Sequence, residues 1–190
     1  LDPERDDYNL AIDQKLEGPL DISRLGRAVE RFIREYFVVN SHIEGKDDHL
    51  YWVGNQSTTG LEIIDGMIDN GDIVLEKVRK PFNLETGPLY RFILFKYKND
   101  KFRLVLVFHH VIIDALSLDT IILELSHYYN DFSCKNPITI DSQIEKISDL
   151  SSQFLRSIKT YKEKSIEFWK ERLSGIEPLE LNFIKSSCIQ

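Results

Sequence analysis

This 190-residue chain has two cysteines, Cys134 and Cys188, far apart and without the companions a metal or disulfide framework needs. It has one methionine, two tryptophans, nine glycines and six prolines, with no low-complexity stretch and no internal repeat. No apolar run approaches the roughly 20 residues of a membrane-spanning helix. The opening Leu1-Asp2-Pro3-Glu4-Arg5-Asp6-Asp7 is too acidic and polar for a signal peptide. Positive charge is also short, with 24 basic against 31 acidic residues and a formal net charge of −7. That balance argues against sequence-independent nucleic-acid binding and against adsorption to an anionic membrane. A cytoplasmic, reduced protein is expected.

Hydrophobic residues make up 42% of the chain and aromatic residues 11%, enough to build a core rather than a disordered chain. From Tyr8 to Glu17 apolar and polar residues alternate as in a half-buried strand, and Gly18-Pro19 breaks it. Asp21 is placed to cap a helix with Ile22, Leu25, Ala28, Val29, Phe32 and Tyr36 on one face. Val38 to Ile43 and His49 to Val53 read as strands joined by the polar turn Glu44 to Asp48. Residues 61–79, interrupted by Asp69-Asn70-Gly71-Asp72, are ambiguous between a short strand and a helix.

Pro88 to Tyr97 and Phe102 to His110 form the clearest strand pair. The second is apolar on both faces, which predicts a central strand in a covered sheet. Leu118, Ile121, Ile122, Leu125, Tyr128 and Tyr129 follow at helical spacing behind Ser117, the expected N-cap. A long amphipathic helix, with one break allowed, carries Ile144, Ile147, Ser151, Phe154, Ile158, Tyr161, Phe168 and Trp169 and stops near Gly175. Strands interleaved with helices predict an α/β (α+β) fold.

Chemistry concentrates in Phe108-His109-His110-Val111-Ile112-Ile113-Asp114-Ala115, at the end of the buried strand and before a helix. An imidazole held at a strand end over a cleft suits general-base work near neutral pH. The helix beyond it would aim unpaired N–H groups toward the same cleft and favour developing negative charge. Two other readings stay open. Both histidines are satisfied core residues, or they hold a metal, although neighbours on a strand point to opposite faces and do not naturally share one ion.

Three segments occur in order: YNLAIDQKLEGPLD from Tyr8, PFNLETGPLYRFIL from Pro81 and FHHVIIDALS from Phe108. Together they resemble the N-terminal lobe of the condensation domains of nonribosomal peptide synthetases, which share a fold with chloramphenicol acetyltransferase. Asp149, Phe154, Phe168-Trp169 and Leu173 look like the same family's downstream helices. The resemblance implies that residues 1–190 form one such lobe, a mixed β-sheet covered by helices, lacking the C-terminal lobe and the family's first motif.

It further implies that His110 is the second histidine of the HHxxxDG motif, helping an acceptor amine attack an acyl thioester. His109 would be structural. Asp114 would hold the loop through an ion pair. Donor and acceptor would ride on phosphopantetheine arms of carrier proteins, with no metal and no tightly held cofactor. Arg24, Arg27, Arg31 and Arg34 share one face of the first helix and are candidates for docking an acidic carrier, against an ordinary solvated face balanced by Glu30 and Glu35.

Three departures stand out. Ala115 replaces the family's glycine, either testing the backbone or narrowing the space beside the thioester. Glu35 to Ile43 aligns with the family's RHExLRTxF and lacks both arginines, leaving Arg34 and Arg91 as alternative partners for Asp114. With a single lobe, His110 stands on an open wall, which implies a fragment, a remnant, or a lobe completed by a second lobe or another copy. The expected activity is amide-bond formation. The alternatives are a catalytically silent carrier- or partner-binding module and a stand-alone coenzyme A-dependent acyltransferase.

Overall fold

A computed structural model describes residues 6–47, 49–55, 58–66, 71–130 and 140–177, without the side chains of 140–143. The chain divides into two compact units, 1–144 and 145–190. The first contains β1 (Asn9–Glu17), α1 (Ile22–Glu35), β2 (Ser41–Lys46), β3 (His49–Gly54), β4 (Leu61–Asp65), α2 (Gly71–Arg79), β5 (Tyr90–Lys96), β6 (Lys101–His109) and α3 (Ala115–Asn130). The last helix, α4, runs unbroken over Ile140–Arg172, so the break allowed by the sequence is not used. Its apolar positions Ile147, Phe154, Ile158, Tyr161, Phe168 and Trp169 are exposed. Among the described residues no helix is long and apolar enough to cross a membrane.

The main sheet has strand order β1-β6-β5-β4. β1 and β5 flank β6 antiparallel, while β4 joins β5 in parallel, so the sheet is mixed. β6 is central because Phe102 and Leu104 through Phe108 are all buried, on both of its faces. The ambiguous stretch resolves into both alternatives, β4 and then α2, with the helix beginning at Gly71. Val38 to Asn40 precede β2, which instead reaches Lys46, where Asp47 turns the chain with φ +51°. β2 and β3 form a separate hairpin. The Ile43 N–H donates to Leu84 O and ties that hairpin to the loop after α2. Within the same loop Gly87 has φ +56°, and a Cβ there would stand 3.0 Å from Asn55 Oδ1 and 3.2 Å from His42 Cβ. Only glycine fits.

α1 forms where the sequence places it, except that Tyr36, expected on the apolar face, is its exposed C-cap, and Ile33 is buried instead. Asp21 accepts the Arg24 N–H at 2.9 Å, satisfying one of the orphan donors at the helix start. Leu25, Ala28, Val29, Phe32 and Ile33 are its buried stripe. α3 buries Ile121, Leu125 and Tyr128 and packs against α1. It starts two residues before Ser117, and Asp114 stands at its N-cap. The Asp114 carboxylate takes both the Ser117 N–H at 2.9 Å and the Ser117 hydroxyl at 2.7 Å, so Ser117 is a donor inside the first turn rather than the cap.

Candidate active site

β6 ends at His109, and His110 is the first residue of the turn that follows. His109 pairs with Asn9 across the ladder, and its N–H donates to Leu89 O at 2.9 Å. Its ring is half-buried, 5.9 Å from the Tyr8 ring and 6.3 Å, edge to face, from the Phe82 ring. His109 Nδ1 accepts the Val111 N–H at 3.1 Å, which assigns the proton of the neutral ring to Nε2. Burial lowers the His109 pKa, and the neighbouring His110 lowers it further, which favours the neutral ring.

His110 has the opposite character. Its N–H is fixed to Tyr8 O at 2.7 Å, while the side chain is exposed and, among the described residues, makes no hydrogen bond or ring contact. An imidazole anchored through its ring at the strand end is thus followed, in the first residue of the turn, by an exposed one. The turn beyond is closed by the Ile112 N–H donating to His109 O at 3.0 Å, with Ile112 and Ile113 buried beneath it. Among the described residues no three His, Cys, Asp or Glu side chains gather as a metal-holding group.

The condensation-domain family profile matches residues 1–185. The chain belongs to the condensation-domain family. Chondramide synthase of Chondromyces crocatus is 26% identical over 184 residues, covering 92% of this chain and 5% of that protein. Surfactin synthase subunit 1 of Bacillus subtilis is 26% identical over 180 residues, with shares of 94% and 5%. The fold is shared with the starter condensation domain of the rhizomide synthetase, with TM-score 0.72, 18% identity, 93% of this chain and 44% of that chain. It is shared too with the X-domain from teicoplanin biosynthesis, with TM-score 0.72, 19% identity, 95% of this chain and 42% of that chain. The chain thus spans less than half of these solved condensation-type structures and about a twentieth of the synthetases.

Around the paired histidines, the contacts differ from those that the sequence resemblance implies. Asp114 is exposed and caps α3; among the described residues no cation lies within ion-pair distance of it. Neither sequence candidate reaches it. Arg34 is exposed on α1, and Arg91 is spent on the carbonyls of Lys77, Lys80 and Pro81 and on the face of Phe82. Ala115 opens α3 without a positive φ, so the methyl group needs no special backbone there.

Glu35, at the first position that the resemblance aligns with a family arginine, pairs with Arg31 at 2.8 Å and accepts the Tyr128 hydroxyl at 2.7 Å. Burial, reinforced by the Glu35 carboxylate, pushes the Tyr128 pKa up. Asn40 Oδ1, at the second position, is buried with no hydrogen-bond partner.

The arginine row on α1 is not one uniform surface. Arg31 stacks 4.2 Å over the Tyr128 ring and Arg24 lies 5.7 Å from the Tyr129 ring, so these two face α3. Arg27 and Arg34 are exposed. Helical periodicity placed the four on one side but carried no information about the tyrosines that meet half of them.

Asp114 predicts a pH signature. Hydrogen bonds from the Ser117 side chain and N–H hold its carboxyl below the usual value. Its contribution is present above the unfolded carboxyl pKa, near 4, and is lost as pH falls through the lower folded value. Asp114→Ala is therefore expected to lower Tm at pH 7, with the difference from wild type shrinking in acid. Asp114→Asn, which also caps, is expected to restore most of the loss, and thermal melts at pH 7 and below pH about 4 check both.

Proposed function

We propose that this chain is the N-terminal lobe of a condensation domain that forms an amide bond between a carrier-bound acyl thioester and an amine acceptor, with His110 serving the acceptor. The observation that carries the reading is the asymmetry of the histidine pair: His109 is bound through its ring, and His110 is fixed by its backbone with an open imidazole. In this reaction the amine nitrogen attacks the thioester carbonyl carbon, and His110 takes the proton the nitrogen must lose. The tetrahedral oxyanion then re-forms the carbonyl, expels the phosphopantetheine thiolate, and the proton ends on sulfur. The arms of the carriers are substrate-bearing partners, and of the α1 row Arg34, exposed on the helix, is the arginine that would meet an acidic carrier.

A second reading, a silent partner-binding module, is favoured by one observation. Glu35 and Asn40 occupy the family's arginine positions, so the ion pair that would brace Asp114 is replaced by a helix cap.

The test is reconstitution of the chain with carrier-bound donor and acceptor, alone and with a separately expressed C-terminal condensation lobe. Amide product above the uncatalysed background, with carrier-bound donor preferred over free acyl-coenzyme A, is the expected result. Carrier binding without turnover in both formats would establish the silent module, and preference for free acyl-coenzyme A the stand-alone acyltransferase.

A further inference from the structure

The last turn of α2 and the segment after it leave several carbonyls without intrahelical donors. Two side chains from the main sheet meet them. Asn9 Nδ2 donates to Val78 O at 2.7 Å and Lys80 O at 3.1 Å. Because both partners are acceptors, the Asn9 amide can only present its NH2 group there; its Oδ1 is left buried without a partner. Arg91 donates to Lys77 O at 3.0 Å and Pro81 O at 2.8 Å, and also to Lys80 O. Burial lowers the Arg91 guanidinium to about 10, so it keeps its charge at neutral pH.

This double clamp ends on Phe82. The Arg91 guanidinium lies 3.7 Å from the centre of the Phe82 ring, and the same ring meets the His109 ring edge to face at 6.3 Å. His109 in turn faces Tyr8 and takes the Val111 N–H, the first amide beyond His110. Asn9 sits directly opposite His109 in the β1–β6 ladder, so the clamp and the histidine share one strand end. We propose that Arg91 and Asn9 are positioning residues for the His110 turn, acting through Phe82 to hold the His109 ring where its Nδ1 accepts the Val111 N–H. The inference rests on the reading of His110 as the reacting side chain, but its geometry is measurable without catalysis.

Arginine is required here for shape. Its planar fork serves several carbonyls while one face stacks on an aromatic ring, which a lysine ammonium cannot do. The experiment is ring-nitrogen NMR of His109 and exchange of the Val111 amide in the full chain and its variants. Wild type is expected to show one tautomer with Nδ1 unprotonated and a protected Val111 amide. Arg91→Lys, which keeps charge, and Phe82→Leu, which removes the ring, are each expected to mix the tautomers and speed Val111 exchange about fivefold. Phe82→Tyr is expected to keep the wild-type signature.

A folded Arg91→Lys with unchanged tautomer and exchange would overturn the proposal. Should that variant not fold, the same readouts on Phe82→Leu decide it. Catalysis separates the two claims. Normal transfer by His110→Ala would end the catalytic reading yet leave the ring signature standing, whereas an indifferent Arg91→Lys ring ends only the positioning claim.

Discussion

His110→Ala is expected to reduce amide transfer by about 10²- to 10⁴-fold, the usual range for a positioned acid–base group. It is expected to leave the melting temperature almost unchanged. The imidazole is exposed and, among the described residues, makes no hydrogen bond, so its removal opens no cavity and orphans no partner. His109→Ala gives the contrasting pattern. That ring fills the space between Tyr8 and Phe82 and accepts the Val111 N–H, so its loss should lower both stability and rate. Single-turnover transfer from a carrier-bound donor, paired with thermal melts of both variants, checks the prediction. Transfer by His110→Ala within twofold of wild type would remove the catalytic role.

The contrast between the two histidines was half legible in the sequence. Strand alternation says that neighbours face opposite ways, but not which way is covered. That depended on Phe82, brought in from a segment 27 positions earlier. The central place of β6 was legible because both faces of one strand are apolar, a pattern only a covered sheet produces. The start of α3 was misplaced because Asp114 was reserved for an ion pair. Yet Asp ahead of Ala115 and three residues before a Ser donor is itself a capping signal. The Asn9 and Arg91 clamp left no trace, since its acceptors are backbone carbonyls that every residue owns. Likewise 61–79 stayed ambiguous because each half is short, with a parallel strand held by β5 and a nine-residue helix held by that clamp.

Phe92→Ala is expected to cost about 3–5 kcal/mol of folding stability, a large share of the roughly 5–15 kcal/mol a domain possesses. Phe92 is 1% exposed and lies on β5 opposite Leu106, with the Phe32 ring 6.0 Å away and the Tyr90 and Phe108 rings each at 5.5 Å. All three contacts are edge to face, a geometry worth something beyond area burial. The cavity cannot close cheaply. Tyr90 and Phe108 are held by the β5–β6 ladder, and Phe32 by a capped helix, so their backbones can close on the cavity only by breaking hydrogen bonds. Phe92→Leu keeps most of the volume and should cost much less. Leu116→Ala, at a side chain 86% exposed on α3, should stay within about 0.5 kcal/mol of wild type. Denaturant unfolding followed by circular dichroism ranks the three. A Phe92→Ala midpoint matching that of Leu116→Ala would mean that the helix-to-sheet core between Phe32 and Phe108 does not hold this lobe together. Because β6 ends in His109 and runs directly into His110, a Phe92→Ala protein that still folds should lose transfer activity on warming before wild type does.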